Sequence, residues 1–175
     1  MATLKRAHNE LFRRAPDEIY DSIDDLLTRC RRDRDESREH WLPPAAVEPQ
    51  VHHHQVTAQL GSDGAFALNH WSFSQLCGMC GVSRDTINVL SPDTASRALL
   101  ETRPQGEKPL QVLTRDQTVQ ALHGTQYSRL WNVELLQVVQ GAAEGFVAPQ
   151  RATTGGTGLY LGEQDMFAFV RRFTA

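Results

Sequence analysis

The chain has 175 residues, of which 40% are hydrophobic and 22% charged, and a formal net charge of −3. This composition suits a globular domain rather than a disordered segment, and the length can close a core without metal or disulfide staples. The mild acidity weighs against a protein that coats duplex DNA by neutralising phosphates, and no apolar run approaches the roughly 18 residues of a membrane span.

The opening MATLKRAHNELFRRAPDE has no apolar h-region, so it does not read as a secretory signal. Cys30, Cys77 and Cys80 form an odd, sparse set unlike a secreted disulfide framework. Reduced thiols and a cytoplasmic location are the expectation. One domain over 1–175 is expected, with N-terminal helices in 1–35, a connector at 36–50 and an α+β body over 51–175.

Leu4, Ala7, His8, Leu11 and Phe12 share a helical stripe, which predicts a helix over 3–14. Pro16 breaks it. Ser22 with Asp25 resembles a capping box, opening a second helix whose inner face carries Ile23, Leu26, Leu27 and Cys30. Asp24 and Asp25 near its start and Arg29, Arg31 and Arg32 near its end complement the helix dipole. Residues 33–50 read as a connector, charged first and then stiffened by Trp41-Leu42-Pro43-Pro44. Val51 to Leu60 reads as one strand, turning at Gly61-Ser62-Asp63-Gly64 into a second at Ala65–Leu68.

Ser72 and Gln75 have capping-box spacing and predict a helix opening at Trp71 and stopping at Gly78 or Gly81. A short helix follows from Ser83, and another from Pro92 with Ala95, Ala98 and Leu99 inward. Leu110–Leu113 reads as a strand that turns at Arg115-Asp116-Gln117 and pairs back through Val119, Ala121 and His123. Asn132 is expected to cap a helix holding Val133, Leu135, Leu136, Val138 and Val139. Residues 153–158 form a Gly-rich loop, and Leu159–Leu161 with Met166–Val170 form a last hairpin turning at Glu163-Gln164. Hairpins separated by short helices predict an α+β fold of antiparallel hairpins rather than a doubly wound parallel sheet.

Several segments occur in a familiar order: Trp71-Ser72-Phe73-Ser74-Gln75-Leu76, Gly81-Val82, Leu113-Thr114-Arg115, Tyr127-Ser128-Arg129-Leu130-Trp131 and Gly158-Leu159-Tyr160 through Asp165-Met166-Phe167-Ala168-Phe169. With Pro16-Asp17-Glu18-Ile19-Tyr20 upstream, they resemble the "phage/plasmid-like protein" family, a domain of unknown function numbered nine-thirty-two. The resemblance spans most of 10–170. It implies a phage, prophage or other mobile-element setting and no established activity. Family members continue past the D-M-F-x-F strand, so a chain stopping at Ala175 reads as a short or truncated member.

Candidate chemistry is sparse. Tyr127, Arg129 and Trp131 alternate with Ser128 and Leu130, and an aromatic–basic–aromatic face can stack bases and hold phosphate. The same residues also suit an aromatic core anchor. Arg31, Arg32 and Arg34 lie in the densest basic tract, a candidate phosphate contact or a self-paired helix end among Asp33, Asp35 and Glu36. Cys77 and Cys80 have zinc-ligand or redox spacing, and His52 and His54 on one strand face would have to complete a metal site. Two cysteines one helical turn apart also pack as small hydrophobes. Gly155-Gly156-Thr157-Gly158 lacks the lysine of a phosphate-binding loop, Glu163 and Asp165 suit a plain turn, and no serine sits in a nucleophile elbow.

No cofactor and no catalytic constellation is expected. The leading reading is a mobile-element accessory protein binding single-stranded nucleic acid without catalysis, through Tyr127, Arg129 and Trp131 with Arg31, Arg32 and Arg34. The alternative is a protein-binding module acting on a host factor. A zinc-binding or redox protein through Cys77 and Cys80 is third.

Overall fold

The computed structural model describes residues 15–142, 146–147, 158–163, 165–168 and 171–172; the helix expected over 3–14 and the loop at 153–157 lie outside them. The chain forms two compact units, one of residues 36–128 and one of residues 1–35 with 129–175. The expectation of one domain over 1–175 meets two hydrophobic clusters that share no residue. The fold is α+β.

In the unit of 1–35 and 129–175, helix α1 (Ile23–Asp35) begins as its sequence predicts. Ser22 Oγ accepts from Asp25 N–H at 3.0 Å and donates to the Asp25 carboxylate at 2.6 Å. Leu26, Leu27 and Cys30 on its inner face pack with Val133 and Leu136 of helix α5 (Asn132–Ala142) and with Leu159 and Leu161. The last two belong to strand β8 (Leu159–Leu161), which pairs antiparallel with β9 (Met166–Ala168) as the expected hairpin. A two-residue pair, β7 (Phe146–Val147) with β10 (Arg171–Arg172), completes the described strands.

The unit of 36–128 holds a six-stranded sheet in the order β1-β5-β6-β4-β3-β2. Its strands are β1 (Arg38–Leu42), β2 (Val47–His52), β3 (Gln55–Leu60), β4 (Ala65–Leu68), β5 (Leu110–Arg115) and β6 (Thr118–Gly124). All neighbours are antiparallel except β4 and β6. The connector expected at 36–50 is instead β1, a 3-10 turn at Pro44–Ala46 and most of β2. Burial explains the error. Within β1, His40 and Leu42 are half-buried between exposed Arg38, Glu39 and Trp41, a period of two that the run of charges hides.

The single strand expected over Val51–Leu60 is two strands joined by a two-residue turn at His53 and His54. Both adopt positive φ, 49° and 59°. Asp116 and Gln117 do the same between β5 and β6, at 50° and 58°. Paired left-handed residues match the twist of a two-residue hairpin.

Three helices cover one face of this sheet: α2 (His70–Met79), α3 (Arg84–Asn88) and α4 (Pro92–Thr102). Ser83 and Ser91 cap α3 and α4, and Pro92 opens α4. The cap of α2 is Asn69, whose side chain accepts from Ser72 N–H at 2.7 Å, and not the expected Ser72. The core joins Ala58, Leu60, Phe66, Val112, Val119 and Leu122 of the sheet to Leu76, Cys77, Cys80, Ile87, Ala95 and Leu99 of the helices. Each fully buried Leu or Ile contributes on the order of 1.5–3 kcal/mol.

The parallel β4–β6 pairing covers only Ala67↔Thr118 and Leu68↔Val119. Beyond it, α2 side chains occupy the edge of β6: Asn69 Nδ2 donates to Gln120 O at 3.4 Å, and Gln75 Oε1 accepts from Leu122 N–H at 2.9 Å. On edge strand β2, Pro49 has no N–H to offer, and its carbonyl accepts from Ser96 Oγ at 3.0 Å.

Candidate nucleic-acid interface

Side chains alternate across a strand, so directly paired residues share a face. Trp41 of β1 pairs with Gln111 of β5, and Gln111 pairs with His123 of β6. These three form a row on the face opposite the helices. Two strand spacings, about 10 Å, separate its ends.

Trp41 is 52% exposed at one end. At the other, the exposed ring of Tyr127 stacks on His123, with centroids 3.7 Å apart and planes at 11°. The chain returns there through a turn in which Tyr127 N–H donates to Gly124 O at 3.1 Å. Between the rings, Gln111 is only 5% exposed, and its Oε1 is buried without a hydrogen-bond partner among the described residues.

The tautomer of His123 follows from its neighbours. Gln75 Oε1 is committed to Leu122 N–H, so Gln75 Nε2 is the end facing His123 Nδ1 at 3.3 Å. An amide NH₂ only donates, so Nδ1 accepts and the ring proton lies on Nε2. The helix thereby orients the imidazole on which Tyr127 rests.

The expected set Tyr127, Arg129 and Trp131 does not form one outward face. Tyr127 falls in the unit of 36–128, whereas Arg129 and Trp131 fall in the other unit. Trp131 packs beside the core of its own unit, and the Arg129 guanidinium lies 5.3 Å from its ring centroid, while the intervening Leu130 is exposed. The two-residue alternation of an extended strand is lost there because residues 125–131 are a turn and a coil leading into α5.

Arg31, Arg32 and Arg34 are exposed on α1. Arg34 lies 3.3 Å from the carboxylate of Asp35, and the neighbouring Arg29 pairs with Asp33 at 2.7 Å. Part of the tract is therefore self-paired.

Cys77 and Cys80 are buried in the sheet–helix core, and His52 and His54 are exposed around the β2–β3 turn. The shared strand face expected of His52 and His54 does not arise, because His54 is a turn residue. No three His, Cys, Asp or Glu side chains gather to hold an ion among the described residues. Burial pushes the Cys77 thiol up to about 11, assisted by the neighbouring Cys80, and also raises Cys80. Cys80 Sγ donates to Leu99 O at 3.4 Å, which favours the neutral thiol. These groups behave as small core residues, not as nucleophiles or ligands.

Of the residues along this row, sequence reasoning singled out Tyr127 alone as a candidate. The available signal was the period of two in Arg38–Leu42; the β5–β6 turn alone would set Gln111 opposite Leu122, and the register shift between Leu113 and Thr114 places it opposite His123 instead. No family model, curated protein or solved structure matches the chain. Among the described residues, no helix is long and apolar enough to cross a membrane.

Proposed function

We propose that the chain binds single-stranded nucleic acid along the sheet face opposite the helices in residues 36–128, whose centre is buried and whose exposed ends, Trp41 and Tyr127, serve as stacking platforms. The carrying observation is the row Trp41–Gln111–His123 with Tyr127 stacked on its last member, in which exposed Trp41 and Tyr127 flank a buried amide whose acceptor has no partner among the described residues. Every base presents a π face, so such platforms hold single strands with little sequence preference. Ten ångströms between the ends matches about three base steps of 3.4 Å. An acceptor held between two stacked bases is suited to a ring N–H or an exocyclic amine. The binding role requires no chemistry on the strand. Arg31, Arg32 and Arg34 make a separate basic tract on α1, read as an auxiliary phosphate contact.

The resemblance described above supports a mobile-element accessory role, and three buried free thiols support a cytoplasmic setting. An electrophoretic shift series with labelled single-stranded DNA and RNA at increasing salt tests the reading. Trp41→Ala and Tyr127→Ala each weaken binding about 5- to 150-fold, the equivalent of ~1–3 kcal/mol per lost stack. Joint replacement of Arg31, Arg32 and Arg34 by Gln lowers the salt slope by up to about 2. Unchanged affinity in both aromatic variants refutes the assignment.

One observation favours a protein-binding module instead. Leu130, Leu135 and Val138 are exposed at and along α5, at 63%, 41% and 68%. Specific capture of one host protein that is lost in Leu135→Ser/Val138→Ser, with no oligonucleotide shift, would favour that reading.

A further inference from the structure

On the helix-covered face, at the rim of the sheet, three polar side chains from distant parts of the sequence converge. His40 of β1 places Nδ1 2.9 Å from Asp63 Oδ2, in the β3–β4 turn. The same ring places Nε2 2.9 Å from Thr114 Oγ1 on β5. A carboxylate only accepts, so Nδ1 carries the proton in the neutral ring, and Nε2 at 2.9 Å is the nearer acceptor for the Thr114 hydroxyl, whose other acceptor is Arg38 O at 3.5 Å. The arrangement is a hydroxyl–imidazole–carboxylate relay, in which the base faces the nucleophile and a third group fixes the base.

The surroundings keep the relay in place. His40 lies against Phe66, edge to face, with centroids 6.1 Å apart. The His40 side chain is 14% exposed and that of Asp63 48%, so the orienting carboxylate reaches solvent while the base is sheltered. Thr114 sits where the β5–β6 register shifts, and the relay borders a cleft of about 430 Å³. Arg38 and Arg115 line the same cleft. Arg115 lies 3.8 Å from Asp116, whereas Arg38 has no ion pair among the described residues. Arg38 is thus the cation available to developing negative charge.

We propose that this cleft is an esterolytic site for small carboxylic esters, with Thr114 as nucleophile, His40 as general base and Asp63 as the positioning residue. Thr114 Oγ1 bonds to the ester carbonyl carbon as its proton passes to His40 Nε2, and Arg38 faces the resulting oxyanion. The ester C–O bond then breaks, and the leaving oxygen takes the proton from Nε2. Water reverses the sequence: its proton passes to Nε2, its oxygen bonds to the acyl carbon, and Thr114 Oγ1 leaves and is reprotonated.

The test is p-nitrophenyl acetate turnover by the full chain, with mass mapping of acid-quenched protein for an acetyl group on Thr114. Thr114→Val removes the hydroxyl and keeps the shape; His40→Gln keeps a polar partner for Asp63. Each lowers the rate at least about 100-fold. Thr114→Ser restores turnover, and Asp63→Asn lowers kcat with KM unchanged. Far-UV circular dichroism verifies that each variant is folded. If Thr114→Val does not fold, the acetyl map and Thr114→Ser decide. Turnover in folded Thr114→Val equal to that of the parent, acetyl groups only on other residues, or no turnover above buffer would overturn the proposal and leave the relay as a clasp between strands.

Discussion

Replacing Gln111 with Met raises the stability of the 36–128 unit and weakens its hold on single strands. The side chain is 5% exposed, and its Oε1 is buried without a partner among the described residues. A buried acceptor in that condition costs about 1–3 kcal/mol in desolvation that nothing returns. Methionine has similar length, no amide and enough flexibility to fill the same space. Allowing for imperfect packing, the expected gain is about 1–2 kcal/mol. At about 4–8 °C per kcal/mol for a unit of this size, melting rises by roughly 4–16 °C. Urea unfolding followed by Trp fluorescence reads the same change as a higher midpoint at constant m. Binding of a labelled single strand falls about fivefold or more, because the polar group between the stacking rings is gone. A midpoint that stays or drops would show that Oε1 is satisfied in solution. A higher midpoint with unchanged affinity would show that bases never reach the centre of the row.

Three further outcomes follow from the same geometry. Asn69→Ala removes both the cap of α2 and the bond to Gln120 O; a loss of about 1–2 kcal/mol by thermal melting is expected, and a loss under 0.3 would contradict it. The Cys77 thiol is raised to about 11 from an ordinary 9.0, so its contribution is complete below pH 9 and declines as pH rises through 11. Its share of the decline amounts to at most about 2–3 kcal/mol; Cys30 and Cys80 are raised as well, so urea titrations at pH 8 and 11 should show a decline in Cys77→Ala that is smaller than the parent's by up to that share. His54→Gly relieves a left-handed residue at φ 59° and stabilises the β2–β3 hairpin by up to about 1 kcal/mol, read as a higher urea midpoint at constant m.

Much of the architecture was readable residue by residue. Ser22 with Asp25, Ser83, Ser91-Pro92 and the Asp116-Gln117 turn announced boundaries through local chemistry that the fold leaves intact. The misreadings came where long-range pairing overrode local cues. Charges in Arg38–Leu42 masked an edge strand, whose exposed residues Arg38, Glu39 and Trp41 meet water. The capping-box pattern at Ser72 and Gln75 was outcompeted because Asn69 caps the helix and Gln75 is drawn to β6. For the row proposed to bind single strands, Tyr127 could be singled out by type, but Trp41, Gln111 and His123 are brought together only by strand register, which no short window encodes. The relay of His40, Asp63 and Thr114 spans still greater separations and carries no motif.

The sheet has unequal ends. At β2 the middle of the strand has neither a donor nor a vacant acceptor, since Pro49 lacks the first and Ser96 occupies the second. A second molecule approaching that side meets a backbone that cannot continue its ladder, which discourages open-ended fibre growth through strand addition. In this sheet, growth by that route would have to use the β1 side, next to Trp41, so strand-mediated self-association would compete with the proposed single-stranded ligand for the same flank.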